Sequence, residues 1–181
     1  MAHELLERVT AALPDEARVL HLLNELPDSA WEASAEALRE RLPEFEAVLT
    51  ADGQGGAFAR ALADRAGVPL AVAYRSPLAE PHYQADHWSV EQRPLAGRGQ
   101  VLIAVPLTTD GILEMELVLL ARQAGVDAAV CVCAVELTSR GARTRLDMLG
   151  VRIVSDVQLA HTPDGLKVEQ RGQNGELLVP M

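Results

Sequence analysis

Five short apolar runs punctuate the chain, at residues 45–50, 69–74, 101–105, 128–135 and 151–154, and most are separated by stretches of helical periodicity. A strand built from so apolar a run has no polar side to show to water and must be covered on both faces. Alternation of strand, helix and strand meets that need with a parallel sheet flanked by helices, the α/β class. At 181 residues the chain suits one such domain. Residues 1–157 are expected to form it.

The helices are legible from their ends. Residues 4–13 place Leu5, Leu6, Val9 and Leu13 on one face. A second helix is expected over 30–42, opened by Ser29 and Glu32 in capping-box spacing and closed before Pro43. Helices over 57–66 and 112–124 stop at Gly67 and Gly125, and a short one over 142–149 stops at Gly150. Residues 76–98 hold three prolines and no regular period, so they read as a long excursion from the domain. From residue 158 the pairs Asp164-Gly165 and Asn174-Gly175 mark hairpin turns, and 158–181 is expected to form a small C-terminal β-meander.

A formal net charge of −10 argues against a nucleic-acid partner, whose phosphates call for clustered Lys and Arg. No apolar run approaches the roughly 18 residues of a membrane span, and the N-terminus has no basic leader, so a cytoplasmic location without membrane contact is expected. Cys131 and Cys133, two apart in an apolar run, read as reduced core residues on one sheet face. The five histidines form no metal-spaced pair, and no metal site is expected from the residues.

Ligands of a parallel sheet sit beyond the carboxyl ends of its strands, where loops meet helix N-termini. Two turns qualify, residues 51–56 and 106–111. Neither has the Lys of a P-loop or the G-x-G-x-x-G spacing of a dinucleotide fold.

Val101-Leu102-Ile103, then Thr109 and Gly111, then Gly125 closing the next helix, follow a strand, loop and helix close to VLIVDDVLTTGGT. With the Gly-rich turn at 51–56, the strand ending in Arg75 and the Arg- and Gly-bearing stretch 136–146, the chain resembles the type I phosphoribosyltransferases over about residues 28–157. It looks most like their purine branch, the adenine and xanthine enzymes. The resemblance implies a central parallel sheet with a hood and a flap at 76–98, a homodimer, and transfer of 5-phosphoribosyl from phosphoribosyl pyrophosphate (PRPP) to a purine base with Mg2+. It places Asp52, Gln54, Gly55 and Arg75 at the pyrophosphate, and Thr108, Thr109 and Gly111 at the 5′-phosphate. It also places Tyr83 on the purine and Glu91 as flap acid or base. Plain alternatives stand beside these roles: the glycines serve a tight turn, Arg75 is a surface charge, and Tyr83 and Trp88 anchor the excursion.

The departures fall on the chemistry. Val105-Pro106 replaces two adjacent acids that engage the ribose diol and Mg2+, and neither side chain carries an oxygen for them. Asp110-Gly111-Ile112-Leu113 replaces T-G-G-T, Gln54 stands where a basic residue is common, and Ser76 where a lysine is. Asp110 is either a surviving ligand or base, or the cap of the following helix. As a cap it puts a negative charge where a phosphate would sit, and two unit charges ~4 Å apart repel by about 4 kcal/mol near a protein surface. Three readings follow. The first is a phosphoribosyltransferase-related protein with lost or weakened PRPP and Mg2+ binding that serves as a ligand-binding or regulatory protein for a purine base, nucleotide or PRPP-like molecule. The second is an active purine phosphoribosyltransferase, and the third an unrelated α/β domain.

Overall fold

The computed structural model describes residues 4–53 and 55–169. The chain opens with three helices, α1 (Glu4–Ala12), α2 (Glu16–Asn24) and α3 (Asp28–Leu38), the last continued by a 3₁₀ turn at Arg39–Arg41. The order is then β1 (Ala47–Ala51), α4 (Gly56–Ala66), β2 (Leu70–Tyr74), β3 (His82–Ala85), β4 (Trp88–Glu91), β5 (Gln100–Thr108) and α5 (Ile112–Gln123). It ends with β6 (Asp127–Leu137), a 3₁₀ turn at Thr138–Arg140, α6 (Ala142–Asp147), β7 (Arg152–Thr162) and β8 (Gly165–Glu169). All eight strands join one sheet in the order β3-β4-β2-β1-β5-β6-β7-β8. The five central strands, from β2 to β7, are parallel, and both edges are closed by antiparallel hairpin partners.

Alternation along the central strands feeds two cores. Val48, Leu102, Val130 and Val132 pack with Leu5, Val9, Val19, Trp31, Leu38 and Phe58 from α1 to α4. Leu49, Ile103, Cys131 and Ile153 pack with Leu117, Leu120 and Leu146 from α5 and α6. Adjacent residues of one strand thus enter opposite cores, as a strand buried on both faces requires. Both cysteines are free and buried.

Four expectations need correction. The helix read as starting at residue 30 starts at Asp28 behind an extended Pro27, with no side-chain cap. Ser29 lies inside the first turn, so the capping box does not form; Asp28 supplies the negative charge that suits a helix start. Helix α2 was not expected, although its signal is present: Asp15 accepts the N–H groups of Ala17 and Arg18 at 2.8 and 3.3 Å, and Val19 and Leu23 are buried four apart. Residues 76–98 are not an irregular excursion. They contain the hairpin β3-β4, paired antiparallel to the edge of β2 and too short for a period to show. Strand β7 runs through the boundary expected after residue 157, with Val157 and Leu159 buried on either side of Gln158, and β8 extends the same sheet from the Asp164-Gly165 turn. Asn174-Gly175 lies outside the described residues.

Strand β5 also runs three residues further than expected, through Pro106. Its register with β1 ends at Leu49↔Ile103, so at Pro106 that side has no partner strand and the missing N–H removes no ladder bond there. No helix among the described residues is long and apolar enough to cross a membrane.

Candidate functional site

The carboxyl ends of β2, β1 and β5 are neighbours in the sheet and bring Arg75, Asp52, Gly55, Thr108, Thr109, Asp110 and Gly111 to one rim. The turn after β1 starts with the Asp52 N–H donating to the Ala73 carbonyl at 2.8 Å, which ties it to the end of β2. Gly53 has φ 121°, a conformation that favours glycine. Gly55 is the N-cap of α4, and no side chain caps that helix among the described residues. A cleft of about 290 Å³ opens here, lined by Asp52, Gly53, Gly56, Arg60 and Tyr74 among others. Asp52 and Arg60 are exposed. Gln54 lies outside the described residues.

The turn after β5 is built differently. Val105 is buried in the α5 core, and Pro106 is half-buried against the first turn. A Cβ at Gly55 would lie 3.1 Å from Pro106 Cδ and 3.1 Å from Thr50 Oγ1, so the pyrrolidine ring fills the space between the two turns. Leu20, Leu23 and Asn24 of α2 line a second cleft, of about 230 Å³, with Pro106 and Leu107. Thr108 is fully buried and its hydroxyl has no hydrogen-bond partner among the described residues. Thr109 is half-buried.

Asp110 is part of the helix start, one position further out than a simple cap. Gly111 takes the N-cap with φ 79°, and Asp110 Oδ1 accepts only the Ile112 N–H, at 3.0 Å. Gly111 is also held close to α6, where an added Cβ would lie 3.0 Å from Ala142 Cα. The Asp110 carbonyl accepts from Arg145. One helical turn on, Glu114 is buried in the core, and burial pushes its carboxyl above the usual carboxylate range. Burial likewise pushes both cysteine thiols well up.

The other arginines of the 136–146 stretch are engaged within the protein. Arg143 holds the fully buried Glu136 by two bonds of 2.7 Å, and Ser155 donates to the same carboxylate at 2.7 Å. Arg140 binds Glu16 at 2.9 Å.

The hairpin separates its expected site residues. Trp88 is buried, and its Nε1 donates to Glu116 on α5 at 2.7 Å. Arg75 lies over its ring, 4.7 Å from the centroid, a cation–π contact. Tyr83 packs half-buried on the same core. Strand β4 runs back along β2, with Ser89 beside Tyr74 and Val90 beside Ala73, so exposed Glu91 points down the sheet from the rim that carries Asp110. At the hairpin turn, Asp86, His87 and Glu116 place one ligand-type atom each within 4.8 Å of one another. Sequence spacing could not reveal this group, since Glu116 joins it through the fold alone. Arg60 was also missed; its place one turn after Gly56 was the available signal.

No family model matches the sequence, and no curated protein matches it. Among solved structures, the orotate phosphoribosyltransferase of Mycobacterium tuberculosis H37Rv matches with a TM-score of 0.68 at 16% identity, over 86% of this chain and 95% of that one. A phosphoribosyltransferase of Corynebacterium diphtheriae matches at 0.67 and 20% identity, over 87% and 94%. The adenine phosphoribosyltransferase of Thermoanaerobacter pseudethanolicus matches at 0.66 and 22% identity, over 84% and 99%. The chain has the type I phosphoribosyltransferase fold.

Within that fold the residues do not suit a magnesium ion at the β5 turn. Val105 is buried and, like Pro106, has no side-chain oxygen, while an Asp110 oxygen is taken by the helix N–H.

Proposed function

We propose that this protein keeps a phosphoribosyltransferase scaffold of the purine type with lost or weakened PRPP and Mg2+ binding, and that it acts as a ligand-binding or regulatory protein for a purine base or nucleotide. The observation that carries the reading is the β5 turn: a ring packed toward Gly55 and a buried valine stand where the donor's diol and cation would need oxygen acceptors. The turn after β1 supports a retained anion-facing role, since among the described residues no side chain caps it, and it is open and flanked by Arg60. Arg75 and the 136–146 stretch carry the purine resemblance. In this reading the protein is a cytoplasmic homodimer, which light scattering tests.

Thermal stability with ligands decides the matter. A ligand at a hundred times its dissociation constant stabilises a fold by about 2.7 kcal/mol. Purine bases and their 5′-monophosphates are expected to raise the melting temperature without magnesium, whereas PRPP with magnesium leaves it unchanged. Formation of nucleotide from PRPP and adenine, hypoxanthine or xanthine would overturn the proposal and establish an active transferase.

A further inference from the structure

Three side chains from distant parts of the sequence meet on the same rim of the sheet, two strands away from β5. Ser139 lies in the 3₁₀ turn that follows β6, His161 near the end of β7, and Glu16 at the start of α2. Ser139 Oγ is 3.0 Å from His161 Nδ1, and His161 Nε2 is 2.7 Å from Glu16 Oε2. The protons can be placed by elimination. A carboxylate only accepts, so the ring nitrogen 2.7 Å from it carries hydrogen. In the neutral ring Nδ1 is then bare and accepts the serine O–H. The serine oxygen in turn accepts the backbone N–H of His161 at 3.2 Å, which fixes the direction of its own proton.

The carboxylate is itself held. Arg140 Nη2 reaches both oxygens of Glu16, at 2.9 and 3.1 Å. The hydrogen bond from His161, ahead of the charge of Arg140, keeps the Glu16 carboxyl below its usual range, so the acceptor stays ionised. Hydroxyl, imidazole and fixed carboxylate in series are the parts of an activated nucleophile: a group to attack, a base to take its proton, and an orienting anion. Ser139 and His161 are exposed, so the hydroxyl is open to an incoming molecule. None of these residues belongs to the clefts beside β1 and β5.

We propose that Ser139 is an activated nucleophile that accepts acyl groups from activated carboxylic esters, with His161 as its general base and Glu16 positioning the imidazole. Ser139 Oγ bonds to the ester carbonyl carbon as its proton passes to His161 Nδ1. Collapse of the tetrahedral adduct breaks the bond to the leaving oxygen, which takes that proton and departs as the alcohol. Acyl-Ser139 and a neutral imidazole remain.

The test treats the full chain with 4-nitrophenyl acetate and follows 4-nitrophenolate release, intact mass and the acetylated peptide. Ser139 is expected to be acetylated about a hundredfold faster than the exposed Ser29 and Ser76 of the same chain, in line with the usual worth of a positioned base. Ser139→Ala removes the adduct, and His161→Gln slows it to the rate of the two reference serines, both with unchanged circular dichroism. Glu16→Gln lowers the rate by releasing Nε2 of the imidazole from its orienting carboxylate, and Glu16→Asp restores part of it. Acetylation of Ser139 no faster than Ser29 or Ser76, acetyl found on His161 in its place, or a rate indifferent to His161→Gln would each overturn the proposal.

Discussion

The turns after β1 and β5 occupy equivalent places, each leaving a parallel strand and entering a helix of eleven or twelve residues, yet they use their backbones in opposite ways. Among the described residues, the first leaves the start of α4 without a side-chain cap and beside an arginine. The second spends a carboxylate on its own helix, buries a valine, and binds its chain to Arg145 and Ala142. One turn opens on a cleft lined by exposed Asp52 and Arg60, and the other is engaged by its own residues. A shared fold does not by itself fix the chemistry of a site.

Restoring an acid at the closed turn is the harshest way to break this contrast. Val105→Asp puts a charge into the aliphatic core under α5, and a loss of about 3–5 kcal/mol is expected in denaturant unfolding, as for other uncompensated buried charges. A variant that folded as stably as the parent and gained magnesium-dependent PRPP binding would show that the turn is not closed. Glycine substitutions give the next largest effect. Gly111→Ala meets both a left-handed backbone and Ala142 and is expected to cost about 1–3 kcal/mol, whereas Gly56→Ala meets nothing within 4 Å and should be neutral or gain up to about 1 kcal/mol. Equal melting temperatures for the two variants would erase the difference between the turns.

Smaller changes sharpen it. Asp110→Ala is expected to lose about 1 kcal/mol as the helix start gives up its acceptor. In return, phosphate binding at α5, read by thermal shift with inorganic phosphate, should strengthen. Glu114 adds a pH dependence. Burial raises its carboxyl in the folded state, so between the ordinary pKa of 4.5 and that raised value the folded protein holds a proton that the unfolded chain releases, and stability falls as pH rises. Glu114→Gln should match the parent near about pH 4 and surpass it toward neutrality. Parallel pH curves for the two proteins would remove Glu114 from the account.

The parallel core was legible because apolar runs, helix stops at Gly67 and Gly125, and buried alternation are local signals that the fold leaves intact. Val105-Pro106 was legible in the same way, as identities at fixed spacing. What escaped was decided by contacts between distant segments. Trp88 reads as an excursion residue until Glu116 and Arg75 gather around it, and β4 reads as loop until β2 offers an edge. Strand β7 looked four residues long because Ser155, Asp156 and Gln158 interrupt its apolar run; in the fold Ser155 and Gln158 join the buried polar group around Glu136, and Asp156 accepts from Ser34. Pattern alone could not tell a satisfied polar residue from a strand end. Of the two readings of Asp110, the helix-start contact is seen one residue further out than a cap, because the glycine takes the cap position.

Pro106 has a consequence beyond the loss of an acid. Its ring, within β5, is a rigid spacer that faces Gly55 and lines a cleft with α2. A side chain added at Gly55 would meet this ring and the Thr50 hydroxyl at 3.1 Å each, so the first turn has no room to swell without moving one of them. The shape of the cleft beside β1 is thus set in part by a residue of the neighbouring strand.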